Sequence, residues 1–156
     1  MMLDAILNAM MRPLLKMQMD GKVPFAKACG VRLQTMGNGQ ATYTMAHRAD
    51  LENAHGQLAA GALFTLAETC SGGAMAGGFA SVILGVRPVA AQVDFEVLGQ
   101  SPGPVQASAK VAAPIAQLKQ QLRQQGKINF PVEVQVHGPN GQALARMVVT
   151  WNLKKK

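Results

Sequence analysis

Aromatic residues are scarce, with one Trp, one Tyr and five Phe in 156 residues. Surfaces that grip unpaired bases rely on stacked rings, so nucleic acid is not an expected partner. Acid is scarce too: eight Asp and Glu stand against fifteen Lys and Arg, a formal net charge of +7. That imbalance favours anionic partners, such as a membrane surface or a phosphorylated molecule. Part of it sits in a basic tail, Lys154 to Lys156, which reads as frayed and solubilising. There are only two cysteines, Cys29 and Cys70. Their separation matches no metal-ligand spacing, so no metal site is expected, and both read as buried thiols. No secretory leader is visible, because Asp4 precedes the first basic residue. A reducing, cytoplasmic setting is therefore expected. Nor is there a spanning helix. Asp4, Arg12, Pro13 and Lys16 break the N-terminal apolar segment, and Glu68 and several glycines interrupt the run from Leu58 to Val86.

Apolar residues make up 49% of the chain, enough for one core built from Ala, Val, Leu, Ile and Met in a single domain over 1–156. Helical spacing of Leu3, Ile6, Leu7, Met10, Met11, Leu14 and Leu15 predicts an N-terminal helix over 2–19, kinked or divided at Pro13 and stopped at Gly21. "CGVRLQTM" and "QATYTMAH" read as strands joined by a hairpin turn at 37–39. A helix follows from about Leu58 to Ala76, small-residued and apolar all round, hence buried. "SGGAMAGG" is expected to end it. The rest is mostly strand. "RPVAAQVDFEVLG" should place Val89, Ala91, Val93, Phe95 and Val97 on one face. "SPGP" at 101–104 is a turn, and "VQASAKVAA" a strand. A short helix runs between Pro114 and Gly126. "INFPVEVQVHG" is a strand that Pro131 assigns to an edge or a bulge. "PNGQ" turns into the last strand, "ALARMVVTWNLKK". Strand runs with segregated helices define α+β, with an antiparallel sheet wrapped around the central helix.

The segment "NAHGQLAAGALFTLAETCSGG", Asn53 to Gly73, holds a single charged residue, Glu68. This segment and the element order resemble the hotdog-fold thioesterases, close to the PaaI-like group and its DUF4442-type relatives. Many PaaI-like sequences carry Asn-x-x-Gly-x-x-His-Gly-Gly, with an acid nine residues after the His. Here Asn53 and Gly56 hold the first two positions. Ala59, Ala60 and Gly61 stand where His-Gly-Gly would be, and "GALFTLAE" brings Glu68 to the carboxylate position. The resemblance implies hydrolysis of an acyl thioester, usually acyl-CoA, with CoA entering as part of the substrate and no other cofactor. It implies that the carboxylate activates water or attacks directly, and that a backbone N–H at the helix start polarises the carbonyl. It implies a homodimer whose sheets join, with pairing into a dimer of dimers allowed. The departure is Ala59, where a His is usual.

Chemistry supplies an independent constraint. Thioester hydrolysis needs an oxyanion site and a base or nucleophile. The free N–H groups of Ala60 and Gly61 at a helix N-terminus fit the first need. Glu68 lies eight residues beyond Ala60, about 12 Å along the axis. One carbonyl cannot touch both, so both groups serve one site only if a partner chain supplies one of them. Each candidate has a plainer alternative. Glu68 could be capped or paired with Arg87 or Lys110. Asn53 could hold a turn rather than a ligand, and Gly56 could answer a positive φ. Ser71 and Gly72, about a turn beyond Glu68, could orient water or simply pack. His47 and His137 read as surface residues. Arg48, Arg87, Lys110, Lys119, Arg123 and Lys127 could meet CoA phosphates or lie on solvated faces. A non-catalytic protein that binds acyl-CoA or a lipid-like ligand is the competing function. A dehydratase would want a His on the central helix, and there is none.

Overall fold

The computed structural model describes residues 2–19, 21–101 and 103–156. Among these residues are four α-helices: α1 (Met2–Met19), α2 (Pro24–Ala28), α3 (Ala60–Gly78) and α4 (Ile115–Gln125). The six strands are β1 (Val31–Gly37), β2 (Gln40–Met45), β3 (Val86–Val97), β4 (Val105–Val111), β5 (Lys127–His137) and β6 (Ala143–Lys155). All neighbouring pairs are antiparallel, in the order β1-β2-β4-β5-β6-β3. α3 packs against β1, β2, β4, β5 and β6. This is the α+β arrangement expected, a sheet curled around one central helix.

Local chemistry explains several boundaries. Asn38 (φ 54°) and Gly39 (φ 76°) form the two-residue β1–β2 turn, where both central residues need positive φ. Gly126 (φ 75°) closes α4, its N–H bonding to the Leu122 carbonyl. α1 is one continuous helix despite Pro13. The turn at 101–104 includes Pro102, which lies outside the described residues.

Four expectations need correction. First, "SGGAMAGG" is not a loose end: α3 stays helical to Gly78, its last residue, two beyond the expected Ala76. The glycines are there because the helix lies hard against the sheet. A Cβ on Gly73 would fall 2.6 Å from the Tyr43 ring, and one on Gly78 would fall 3.2 Å from the Gly39 Cα. Second, β3 does not present its odd positions on one face. A bulge between Ala90 and Gln92 reverses the alternation, so Val86 and Ala90 face the core before it, and Val93 and Phe95 after it. Val89 is left exposed. Third, Pro131 sits in an interior strand without a bulge of its own. Its carbonyl accepts from Ala112 just beyond the last β4 pair, Val111 with Val132. The missing N–H faces the very end of β4, so proline forfeits only the reciprocal bond to the Ala112 carbonyl at the close of that pairing. Fourth, the basic tail is not frayed. β6 runs to Lys155, whose N–H bonds to the Gly126 carbonyl, and the N–H of Lys156 bonds to the Gly85 carbonyl.

The cysteines also differ from one another. Cys70 is fully buried, its thiol 3.4 Å from the Ala41 carbonyl, whereas Cys29 is only half-buried. Burial pushes the Cys70 thiol up to about 12, so almost no thiolate exists at neutral pH. One thiol per chain is expected to react with an aromatic disulfide reagent in the native protein and two after unfolding. Prompt reaction of both in the native protein would contradict this burial.

Candidate functional site

α3 is not buried all round. In a mostly buried helix, Ala60, Gly61, Phe64, Glu68, Thr69 and Gly72 remain at least partly accessible, and all but Thr69 share one line. Their spacing of three to four residues draws one stripe along the axis. Phe64 packs edge-on to Phe95 of β3, with ring centroids 5.2 Å apart. The stripe therefore borders β3, the strand at the end of the sheet.

The N-terminal end of the stripe offers bare backbone donors. The helix has no side-chain cap, and Ala59 is extended (φ −64°, ψ 147°). The Ala59 N–H bonds to the Leu51 carbonyl, and those of Ala62 and Leu63 bond back to Ala59. Ala60 and Gly61 N–H make no hydrogen bond among the described residues. Nothing lies within 4 Å of a Cβ placed on Gly61. Two free donors at the positive end of a 19-residue helix, under open space, can hold an oxyanion.

Glu68 occupies the middle of the stripe. Its carboxylate makes no hydrogen bond or ion pair among the described residues, so neither Arg87 nor Lys110 pairs with it. Burial raises its pKa above the ordinary value of 4.5, since desolvation disfavours the charged form. A half-buried carboxylate with nothing to neutralise it is a costly feature, and a raised pKa makes it a stronger proton acceptor than an ordinary carboxylate.

Asn53 is placed differently. Its Oδ1 accepts from the N–H of His55 (2.8 Å) and of Gln57 (3.2 Å). Its own N–H bonds to the Gln57 carbonyl at 2.7 Å. Gly56 has φ +72°, with its N–H on the Asn53 carbonyl at 3.2 Å. Asn53 and Gly56 thus build the loop that delivers α3, and only the Asn53 Nδ2 group is left to meet a ligand. Asn53→Asp keeps the acceptor and is expected to leave stability nearly unchanged. Asn53→Ala is expected to cost about 1 kcal/mol, measured by chemical denaturation. Equal losses in the two variants would remove the turn from the account.

Ser71 is fully buried. Its Oγ donates to the Glu68 carbonyl (2.6 Å) and accepts from Trp151 Nε1 (3.2 Å). That hydroxyl is spent on joining α3 to β6 and is not turned toward a ligand. Gly72 faces the same Trp151 ring, which a Cβ would approach to 3.6 Å. His47 and His137 are half-buried rather than surface residues. His47 Nε2 meets Glu52 Oε1 at 2.7 Å beside the Asn53 loop, a pair that spacing in sequence did not suggest. Arg48 is held by Asp50 through two bonds of 2.9 Å and donates to the Ala28 carbonyl. Phe64 was the legible signal overlooked: it lies one turn before Glu68, so it had to share that face. Among the described residues no cluster of His, Cys, Asp or Glu could hold a metal ion, and no helix is long and apolar enough to cross a membrane.

A sheet wound around one long helix, with bare donors at the helix start and an acid in its middle, places the chain in the thioesterase-like hotdog superfamily. The solved structures it resembles share this fold. A probable thioesterase from Pseudomonas aeruginosa is 26% identical, with 92% of this chain and 95% of that chain covered and a TM-score of 0.79. The PaaI protein of Escherichia coli, from a phenylacetic acid degradation operon, is 22% identical over 85% of this chain and 84% of that one, with a TM-score of 0.66. A protein of unknown function from Chlorobaculum tepidum reaches 0.82 at 11% identity, covering 94% of this chain and 98% of its own. No curated protein sequence matches. Within the superfamily, the chain belongs to the DUF4442 family, a domain of unknown function that matches residues 11–153.

Proposed function

We propose that the chain hydrolyses acyl thioesters, acyl-CoA being the substrate class, and that its active unit is a homodimer. The observation that carries this reading is the half-buried, unpartnered Glu68 on the same open stripe as the free N–H groups of Ala60 and Gly61. The two features lie about 12 Å apart along one helix, too far to act on one carbonyl. A second copy with its α3 antiparallel brings Glu68 of one subunit beside the helix start of the other. The stripe's border with β3 favours that approach, because the same face and the same sheet edge would be covered together.

The reaction then follows from charge. The N–H groups of Ala60 and Gly61 hold the thioester oxygen as it gains negative charge. Glu68 of the other subunit takes a proton from water, whose oxygen bonds to the carbonyl carbon. The C–S bond breaks, the thiolate takes up a proton, and the acid is released. In this reading Asn53 Nδ2, the side-chain group left over by the loop bonds, orients the acyl oxygen or the water. A cytoplasmic setting belongs to the same reading, since both cysteines are free thiols.

Sedimentation and a panel of acyl-CoA substrates test this together. A dimer that releases free thiol from at least one substrate is expected. A fully active monomer would overturn the composite site. Acyl-CoA binding with no release from any substrate would instead favour a non-catalytic binding protein, a reading that the absent His at Ala59 keeps in play.

A further inference from the structure

At the opposite end of α3 lies a cavity of about 500 Å³, within the range of small-molecule sites. Its walls include Leu84, Val86 and Leu122, and Leu7 of α1 closes one side. Arg123, Lys155 and Lys156 also line it, and no Asp or Glu does among the described residues. The two lysines are held in place. Lys155 Nζ donates to the Arg123 carbonyl at 3.1 Å, and Lys156 Nζ to the Leu84 carbonyl at 2.8 Å. Buried Lys119 also lines the cavity, with its Nζ 3.0 Å from Ser81 Oγ.

A second observation points the same way. Lys154 lies directly opposite Arg87 on one neighbouring strand and opposite Lys127 on the other. Like charges placed opposite one another across a sheet destabilise it. This end of the molecule therefore concentrates positive charge on both sides of the β6 terminus. Within the cavity, low-dielectric walls beside Arg123, Lys155 and Lys156 focus their field on an anion. The last residue of α3 lies ten positions beyond Glu68, about 15 Å along the axis, so the cavity is separate from the proposed reaction site of this chain.

We propose that the cavity binds a single-chain amphiphile with an anionic head, its alkyl chain along Leu84, Val86 and Leu122 and its carboxylate or phosphate at Arg123, Lys155 and Lys156. The apolar wall and the cationic rim are both required, and neither alone selects such a ligand. The site goes beyond thioester hydrolysis and stands whether or not Glu68 is catalytic.

The test is calorimetric titration of the intact protein with dodecanoate, dodecyl phosphate and dodecanol, each below its aggregation concentration. Saturable binding of one dodecanoate or dodecyl phosphate per chain is expected, with dodecanol at least about tenfold weaker. A preference between the two anions identifies the head group. Arg123→Gln combined with Lys155→Gln is expected to weaken both anions about tenfold or more, with an unchanged circular-dichroism spectrum. Raised salt is expected to weaken the anions and spare the alcohol. Equal affinity for dodecanol, or full affinity in the double variant, would overturn the proposal. So would binding only to anionic vesicles, which would mark a lipid surface rather than a cavity ligand. Displacement of dodecanoate by free CoA would assign the cavity to the thioester substrate and overturn it as a separate site.

Discussion

Glu68→Gln is expected to lower thioester hydrolysis by roughly 10²–10⁴-fold, the range for losing a positioned general base. The fold should survive, because the carboxylate makes no bond among the described residues that Gln would break. Stability offers a second readout with a definite sign. Burial raises the Glu68 pKa above its ordinary 4.5, so the native state keeps this proton to higher pH than the unfolded chain does. By linkage, the group's contribution is most favourable below about pH 4.5 and declines as pH rises through the raised native value. The Gln variant lacks that decline. Its stability relative to the unsubstituted protein should rise with pH across this window and stay flat below it. Equal thiol release by both proteins would remove Glu68 from the chemistry. A stability difference independent of pH would remove the account of its burial.

Gly73→Val is expected to destabilise the protein by about 3 kcal/mol, the upper end for overpacking a close-packed core. At about 2–4 °C per kcal/mol for a chain of this length, that is a fall in Tm of roughly 6–12 °C. The reason is the 2.6 Å between a Cβ at this position and the Tyr43 ring, which is itself 2% exposed and has nowhere to go. Gly61→Ala is the companion on the same helix. It meets nothing within 4 Å, so helix propensity alone should leave its Tm unchanged or slightly raised. A Tm for Gly73→Val within a degree or so of the parent would show that the sheet can retreat from the helix. Gly73→Val should cost less when introduced into a Tyr43→Ala background than into the parent, since the obstructing ring is gone.

These contrasts show where the sequence could be read and where it could not. The Asn38–Gly39 turn and the Pro114-to-Gly126 bounds of α4 were legible because each depends on chemistry within a few residues. The reason for the glycines that close α3 was not. In "SGGAMAGG" the local preference for breaking a helix is overridden by the need for a thin surface against Tyr43, Met36 and Gly39, which only the tertiary packing displays. The face of β3 was misread for a similar reason, since one extra residue at the bulge exchanges inside for outside. In the candidate site, the lone acid at Glu68 and the small residues at Ala60 and Gly61 were visible as oddities of composition, and they do lie on one stripe. The job of Asn53 was not visible. Its oxygen is engaged by two N–H groups that come within reach only when the loop closes at Gly56. Ser71 carries the right hydroxyl, but Trp151, eighty residues away in sequence, claims it.

The bulge in β3 also bears on how this protein tolerates crowding with its own kind. The last strand of a sheet is an invitation to any other extended segment, and long regular edges nucleate fibres. Here Pro88 offers no donor, and the extra residue at Ala91 breaks the regular rhythm of donors and acceptors partway along the strand. The charges of Arg87, Asp94 and Glu96 punctuate what remains. An arriving strand must match both the interruption and the charges, which a copy related by symmetry can do and a random segment cannot. The irregularity that hid the face of β3 from sequence reading thus also guards its open edge against indiscriminate pairing.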